Sequence, residues 1–181
     1  MNKKYTAEEL DLLHAELYDI LGETIRVCQK HNIPYFVIGG TAIGALYDQA
    51  VLPWDDDIDI CLKREDYNQL IQILPQELPY GMVMTGMYAK TRRLQEVAEV
   101  PQLRVMADET LINFNDYMKW FHGFPYQRIG LDIFPLDYIP RDQECAEVQK
   151  TLFQQGMELI INWHGLKQTG KLEECLSMFG T

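Results

Sequence analysis

The chain has 181 residues, of which 47% are hydrophobic and 24% are charged, so it is long and apolar enough to bury a core as a single domain. Its formal net charge of −11 argues against a nucleic-acid partner and an electrostatic membrane anchor, because both depend on basic surfaces. No apolar run is long enough to span a bilayer, and the first residues lead into a charged helix rather than a signal peptide. We therefore predict a cytoplasmic protein without a transmembrane segment, which can act at the inner face of the membrane.

The first predicted element is an amphipathic helix. Residues Thr6 to Glu9 have the form of a capping box, and apolar residues then recur at helical spacing. The helix should end near His31 and Asn32, because Pro34 disfavours a helical conformation in the residue before it. Strands are predicted, in chain order, at residues 35–38, 58–62, 82–84, 103–106, 110–114 and 129–134. Further helices are predicted at residues 42–46, 64–74 and 141–181.

A glycine turn separates the first strand from the second helix. Residues 35–38 predict a short buried strand, which is followed by Gly39-Gly40-Thr41. Glycine lets the backbone approach an anion closely, and amides at a helix N-terminus point donors and a partial positive charge toward it. The pattern is typical of a phosphate-binding turn, and an ordinary turn is the alternative.

Four aspartates crowd into the five positions from Asp55 to Asp59, directly before an apolar segment. Like charges this close repel each other, so a counter-charge is expected nearby. Because side chains alternate along a strand, Asp57 and Asp59 should share one face of it, while Ile58 faces the core. Two carboxylates on one face suit Mg2+, which takes oxygen ligands and completes its shell with water and substrate phosphates. A solvated loop or a helix N-cap is the alternative.

Asp132 interrupts the otherwise apolar strand predicted at residues 129–134. An unpaired buried carboxylate is costly, so this side chain calls for a partner. A position beside Asp57 and Asp59 on a neighbouring strand would place three carboxylates around one metal ion. The alternative is a solvated strand face or a bond to a turn. Asp137 follows the same strand and is interpreted as a turn residue.

The cysteines and histidines give no sign of a metal site or of a disulfide framework. We interpret the cysteines, which lack the required spacing, as buried thiols: Cys28, Cys61, Cys145 and Cys175. The histidines are interpreted as structural or surface residues without a role in catalysis: His14, His31, His122 and His164. The aromatic-rich segment at residues 117–126 is explained by core packing, and stacking on a base or on a choline group is the alternative.

Taken together, four segments resemble the LicD family, which includes bacterial phosphocholine transferases and is related to the fukutin-related sugar-phosphate transferases. In chain order they are Gly39-Gly40-Thr41, residues 52–60, Arg64-Glu65-Asp66-Tyr67 and residues 131–137. The resemblance runs from about Ile33 to Pro140. It implies an α/β, nucleotidyltransferase-like fold with a mixed sheet flanked by helices. The helices predicted at residues 141–181 then form a C-terminal helical part after the family motifs.

The resemblance also implies the site. The glycine turn, Gly39-Gly40-Thr41, would hold the nucleotide phosphates. Asp57 and Asp59 would carry Mg2+, for which Mn2+ can substitute, and Asp132 matches the third acidic position. Whether Asp132 is a metal ligand or the general base stays open.

Two features depart from the family pattern. Family members commonly carry an arginine shortly after the first helix, where this chain has Leu46-Tyr47-Asp48. If that arginine normally contacts phosphate, either another basic group supplies the charge or donor binding is weaker. We favour Arg64 for this contact, and the other candidates are Lys63, Lys90 and Arg104. Family chains also usually continue beyond the point where this one stops, so we expect a chain shorter than its relatives.

The expected activity is a Mg2+-dependent transfer of a phospho-alcohol group, most simply phosphocholine from cytidine diphosphate choline. The acceptor would be a sugar hydroxyl of a cell-surface glycan precursor, such as a lipopolysaccharide or teichoic acid. Two alternatives remain: a nucleotidyl or ribitol-phosphate transferase with the same carboxylates, and a non-catalytic nucleotide-binding or regulatory module.

Overall fold

The computed structural model describes residues 5–85, 103–113, 119 and 126–178. The chain divides into two compact units. The sheet unit comprises Met1–Ile112 and Arg128–Asp137, and the helical unit comprises Asn113–Gln127 and Tyr138–Thr181. The prediction of a single domain over residues 1–181 stays a prediction.

Helices and strands alternate along the chain from the first helix to the third strand. The helices are α1 (Ala7–Lys30), α2 (Gly39–Tyr47), α3 (Arg64–Glu77), α4 (Gln143–Gln168) and α5 (Leu172–Met178). The strands are β1 (Phe36–Val37), β2 (Ile58–Lys63), β3 (Met82–Thr85), β4 (Leu103–Ala107), β5 (Ile112–Asn113), β6 (Tyr126–Gln127) and β7 (Gly130–Leu136). The predicted helices after Pro140 are thus present as α4 and α5.

The sheet unit is built on a five-stranded mixed sheet in the order β1-β2-β7-β4-β3. Strands β2 and β7 are parallel, and the other three neighbouring pairs are antiparallel. Helices α1 and α3 pack against the sheet and against each other. The predicted α/β class, a mixed sheet flanked by helices, is confirmed.

The core of the sheet unit lies between the sheet and these two helices. Its fully buried side chains come from α1, α3, β2, β4 and β7, and include Leu17, Ile20, Leu70, Leu74, Ile58, Ile60, Val105, Leu131 and Ile133. The capping box of α1 forms as predicted: the Glu9 amide donates to Thr6 Oγ1 over 3.1 Å, and the Thr6 amide donates to Glu9 Oε2 over 2.8 Å. The core side chains are those that the helical spacing of α1 and α3 and the alternation along β2 select.

The first strand differs from its prediction. It has only two residues, and Phe36 and Val37 are 48% and 36% exposed rather than buried. The reason is that β1 lies at the edge of the sheet and pairs with β2 alone. Helix α2 then begins at Gly39 instead of residue 42, so the glycines form its first turn.

Three other boundaries also differ. Helix α3 runs on through Pro75, because a proline in the last turn removes one hydrogen bond without preventing a short continuation. The strand predicted at residues 110–114 begins two residues late, as β5, because Thr110 turns back: its hydroxyl donates to the carbonyl oxygen of Ala107 over 2.9 Å. Residue 114 lies outside the described residues. Strand β7 starts one residue later than predicted and continues to Leu136, and β6 was not predicted.

The interpretation of the four cysteines as buried thiols is half wrong. Cys28 and Cys61 are buried in the sheet unit, as expected, and burial raises the pKa of the Cys28 thiol to about 11. Cys145 is exposed on α4 and Cys175 is half-buried on α5. Within the described residues, the groups that could hold a metal ion consist of aspartates.

Candidate active site

The candidate site is built where β2 begins. Ile58 and Ile60 are fully buried, so the alternation along the strand turns Asp57 and Asp59 toward the opposite face. Both aspartates are half-buried. The sequence pattern therefore places two carboxylates at a sheet face with restricted access to water.

Strand register adds the third carboxylate. Asp59 on β2 lies directly opposite Asp132 on the parallel strand β7. Carboxylate oxygens of Asp57, Asp59 and Asp132 all lie within 4.8 Å of one another. We call these three residues the aspartate cluster. The structure thus brings together the three aspartates that the sequence selects, although their roles remain predictions.

The aspartate cluster is electrostatically strained. Partial burial, followed by repulsion from neighbouring aspartates, raises the pKa of Asp57 from 3.8 to about 6. The pKa of Asp59 is also raised to about 6, by partial burial and then by the charge of Asp132, whereas Arg104 opposes the rise. A cation bound between the carboxylates would relieve this repulsion, and carboxylate oxygens are the donors that Mg2+ prefers. The donor set therefore fits the ion that the resemblance implies.

Among the residues that the structure describes, Arg104 contributes a basic side chain to the aspartate cluster. It lies on β4 directly opposite Asp132, and its Nε forms an ion pair with Asp132 Oδ1. The two side chains are only 11% and 17% exposed. Arg104 was one of several candidates for the missing positive charge. The pairing of β4 with β7 places it beside Asp132.

The first turn of α2 packs against the aspartates. Gly39 has a φ of +59°, and a Cβ added there would lie 3.2 Å from Asp59 Oδ2. A Cβ on Gly40 would overlap Asp55 Oδ2. The buried hydroxyl of Thr41 accepts a hydrogen bond from the Asp59 amide over 2.9 Å. These contacts position Asp59, and the predicted phosphate-binding role of Gly39, Gly40 and Thr41 remains a prediction.

Helix α1 holds the aspartate-rich loop from its other side. His14 Nε2 lies 2.7 Å from the carbonyl oxygen of Asp55, and because a carbonyl only accepts, the ring donates. The Tyr18 hydroxyl accepts from the Val51 amide over 2.8 Å. Tyr5, just before α1, is hydrogen-bonded to the Asp56 side chain. Partial burial and then the charge of Asp56 raise the pKa of Tyr5 to about 12. This contact agrees with the interpretation of His14 as a structural residue. The sequence near His14 does not indicate that Asp55 is its partner.

The structure does not bring Arg64 to the aspartate cluster. Its Nε and Nη2 donate to the two carboxylate oxygens of Asp137, each over 2.6 Å, and its guanidinium lies over the Tyr67 ring. Arg64 follows the last residue of β2, whereas Asp59 is near the first. Asp137, the residue that follows β7, is therefore an ion-pair partner of Arg64. The phosphate-binding role of Arg64 remains a prediction.

Two candidates for the positive group remain, Lys63 and Lys90. Lys63 is exposed at the end of β2. Lys90 and His122 lie outside the described residues, as does most of the aromatic-rich segment at 117–126.

Comparison with known families identifies the domain. The nucleotidyltransferase domain of LicD/FKTN/FKRP matches residues 32–154, which include β1 to β7 and the whole aspartate cluster. The chain belongs to this family. The resemblance seen in the sequence motifs is therefore confirmed for the LicD-family domain.

Three relatives of this LicD-family chain match shorter segments. An uncharacterised protein of Rickettsia prowazekii is 43% identical over 60 residues, which is 33% of this chain and 23% of the relative. An uncharacterised protein of Rickettsia typhi is 39% identical over 74 residues, which is 41% of this chain and 23% of the relative. The lipopolysaccharide cholinephosphotransferase LicD of Haemophilus influenzae is 35% identical over 75 residues, which is 41% of this chain and 27% of the relative. The matched segments span about a quarter of each relative.

None of the helices in the described part of this LicD-family chain combines the length and the apolar character needed to cross a bilayer.

Proposed function

We propose that this LicD-family chain is a Mg2+-dependent transferase that moves a phospho-alcohol group from a nucleotide-activated donor to a sugar hydroxyl. The observation that carries the proposal is the aspartate cluster, in which carboxylates from neighbouring strands approach within 4.8 Å. Mutually repelling carboxylates are costly to hold together unless a cation joins them. Family membership supports the reaction class.

Asp57 and Asp59 would hold the ion, with Asp132 as the third acidic group. When bound, Mg2+ offsets negative charge on the donor phosphates and favours their orientation for in-line attack. Mn2+ has a similar preference for oxygen ligands and should substitute.

The residues of the chain itself would orient the reactants. The amides in the first turn of α2 carry the partial positive charge of a helix N-terminus and lie next to Asp59, where donor phosphates would bind. Thr41 fixes the position of Asp59 through the backbone hydrogen bond described above. The half-buried environment limits access of water, which competes with the sugar hydroxyl as the acceptor.

We propose phosphocholine as the transferred group, on the strength of the similarity to the cholinephosphotransferase of Haemophilus influenzae. The acceptor oxygen would form a bond to the phosphorus that carries choline. The bond from this phosphorus to the bridging oxygen would break, and cytidine monophosphate would leave. The hydroxyl proton would pass to a base. The acceptor would be a cell-surface glycan precursor, and the reaction would take place on the cytoplasmic side.

The test is calorimetric binding of cytidine diphosphate choline, with Mg2+ and with EDTA. Binding by the wild-type chain should require Mg2+, and Asp57→Asn/Asp59→Asn should abolish it. The matched control is Asp11→Asn/Asp19→Asn, which removes the same charge from two exposed positions of α1 and should bind as the wild type does.

Failure of this test has a defined meaning. A well-folded wild-type chain that binds no cytidine diphosphate choline contradicts the choline donor. Binding of cytidine diphosphate ribitol or of a nucleoside triphosphate instead would favour the related transferases. No binding of any of these donors would favour a nucleotide-independent or regulatory module.

Asp132→Asn distinguishes the two roles considered for Asp132. If Asp132 is a ligand of the ion, the variant should lose Mg2+-dependent donor binding together with turnover. If it is the general base, donor binding should persist while turnover falls by about a hundredfold or more. A variant with wild-type binding and turnover would exclude both roles.

A further inference from the structure

Arg104 sits in a row of charged side chains that crosses three neighbouring strands. The register pairs Asp59 of β2 with Asp132 of β7, and Asp132 with Arg104 of β4. Residues directly opposite each other in a sheet point to the same face. The guanidinium therefore lies on the face that carries the carboxylates, and its ion pair with Asp132 fixes it there.

Formal charges show what this arginine does to the site. The three carboxylates carry a charge of −3 when ionised, and the guanidinium, which stays protonated, reduces the local charge to −2. A single divalent cation neutralises that remainder. Both members of the pair are mostly buried, so water screens the guanidinium only weakly.

We propose that Arg104 is a permanent counter-cation of the aspartate cluster: it stabilises the ion-free fold and, by the same charge, weakens the binding of a divalent cation. This proposal rests on the cation site of the proposed function. It makes Arg104 a positioning and affinity-setting residue, which acts through Asp132 rather than on the substrate.

Two consequences of removing the guanidinium act in opposite directions on cation affinity. Losing a like charge beside the ion strengthens binding, whereas losing the contact that orients Asp132 weakens it. The Coulomb energy between a monovalent and a divalent charge a few ångströms apart is large even at a protein-surface dielectric constant. We therefore expect the charge effect to dominate, and cation affinity to rise about tenfold or more.

The experiment measures Mn2+ binding by calorimetry and thermal unfolding in EDTA and in Mn2+, for the full chain and its variants. Arg104→Met should unfold at a lower temperature than the wild type in EDTA, bind Mn2+ more tightly and show the larger rise in Tm on adding Mn2+. Arg104→Lys keeps the positive charge and should resemble the wild type in both affinity and Tm shift. If Arg104→Met folds only with Mn2+ present, that requirement supports the proposal.

Arg128→Met is the matched control. Arg128 is also mostly buried, at 19% exposure of its side chain, and it pairs with Asp108 over 3.2 Å instead of with the aspartate cluster. Its loss should lower Tm without changing Mn2+ affinity. An equal gain in Mn2+ affinity in both arginine variants would mean a general charge effect and would overturn the proposal.

The remaining outcomes separate this inference from the proposed function. If the wild type binds Mn2+ and Arg104→Met binds it equally or more weakly, the inference alone is overturned. The inference alone is also overturned if Arg104→Lys behaves like Arg104→Met. No response to Mn2+ in the wild type or in any variant contradicts the metal site of the proposed function, and the inference is rejected with it. If Arg104→Met binds Mn2+ and the wild type does not, the inference is supported. This outcome contradicts only the proposal that the wild-type chain itself holds the ion.

Discussion

At the scale of single residues, the hydroxyl of Thr41 has a structural task that can be measured. It accepts a hydrogen bond from the Asp59 amide and is buried. Valine has nearly the same shape but no acceptor, so Thr41→Val leaves this amide without its partner. We expect a loss of about 1–2 kcal/mol in the free energy of unfolding, measured by urea denaturation.

Thr41→Ser is the matched control, because it keeps the hydroxyl and removes only a methyl group. It should lose less stability than Thr41→Val. If the two variants were equally destabilised, packing of the methyl group would explain the effect, and the hydrogen bond to Asp59 would not matter.

At the scale of elements, the contact between α2 and the loop that follows it depends on a glycine. Gly44 is buried, and a Cβ added there would overlap the carbonyl oxygen of Ala50 and lie 3.1 Å from the Leu52 amide nitrogen. Both obstacles are backbone atoms, so they cannot rotate away. Gly44→Ala should destabilise the fold by about 1–3 kcal/mol in urea denaturation.

Gly22 on α1 provides the comparison for this substitution. A Cβ added there meets nothing within 4 Å. Gly22→Ala should therefore stabilise the fold by about 0.5–1 kcal/mol through helix propensity alone. Similar effects of both substitutions would show that the loop adapts to α2 and that the close approach is not required.

Helices α1 and α3 are also joined by a surface ion cluster around Glu77. Its carboxylate accepts from Lys30 Nζ at 2.6 and 2.8 Å and lies 3.2 Å from His31 Nε2. These hydrogen bonds, that of Lys30 first, hold the pKa of Glu77 below its ordinary value of 4.5. The stabilisation is then present above the ordinary pKa and is lost as the pH falls through the lower pKa of the folded state.

Glu77→Gln should therefore lower Tm near neutral pH, and its difference from the wild type should shrink toward zero as the pH falls through the lowered pKa of Glu77. Thermal unfolding across this pH range measures the difference. Lys30→Met should produce a similar but smaller pH-dependent loss, because His31 still contacts the carboxylate. A Tm difference that stays constant with pH would assign Glu77 a packing role instead.

At the scale of the whole molecule, the sequence was sufficient for features that depend on local periodicity. Alternation along β2 separated Asp57 and Asp59 from the buried Ile58. Strand order was not predictable in the same way, because β7 pairs with β2 from about seventy positions away along the chain. That pairing decides which carboxylate completes the aspartate cluster.

The same long-range pairing explains what the sequence left open. Only the register of β4 against β7 places Arg104 at the aspartate cluster, whereas Arg64, the favoured candidate, pairs with Asp137. Likewise, the contact of His14 with Asp55 joins residues 41 positions apart through a backbone carbonyl. Every residue carries a backbone carbonyl, so no sequence pattern could have identified this hydrogen-bond acceptor. The exposure of β1 depends on its place at the sheet edge, which local hydrophobicity cannot report.

The surplus of negative charge over the whole chain makes the ion-free state of the aspartate cluster a cost to stability. The chain has 27 acidic and 16 basic residues, so no general excess of positive charge offsets the local repulsion. Replacing two of the three clustered carboxylates by amides of the same shape removes this repulsion. In EDTA, Asp57→Asn/Asp59→Asn should therefore be more stable than the wild type, by on the order of 1 kcal/mol.

Adding Mg2+ should reverse this difference. An ion that binds only the folded state stabilises it in proportion to the logarithm of its concentration, and the double variant lacks the ligands. Thermal unfolding at constant ionic strength measures both effects, with NaCl replacing MgCl2 as the control for screening of the net charge. A double variant that is less stable than the wild type in EDTA would show that Asp57 and Asp59 hold the fold together without an ion. The crowding of carboxylates would then be structural, and the argument for a cation at this sheet face would fail.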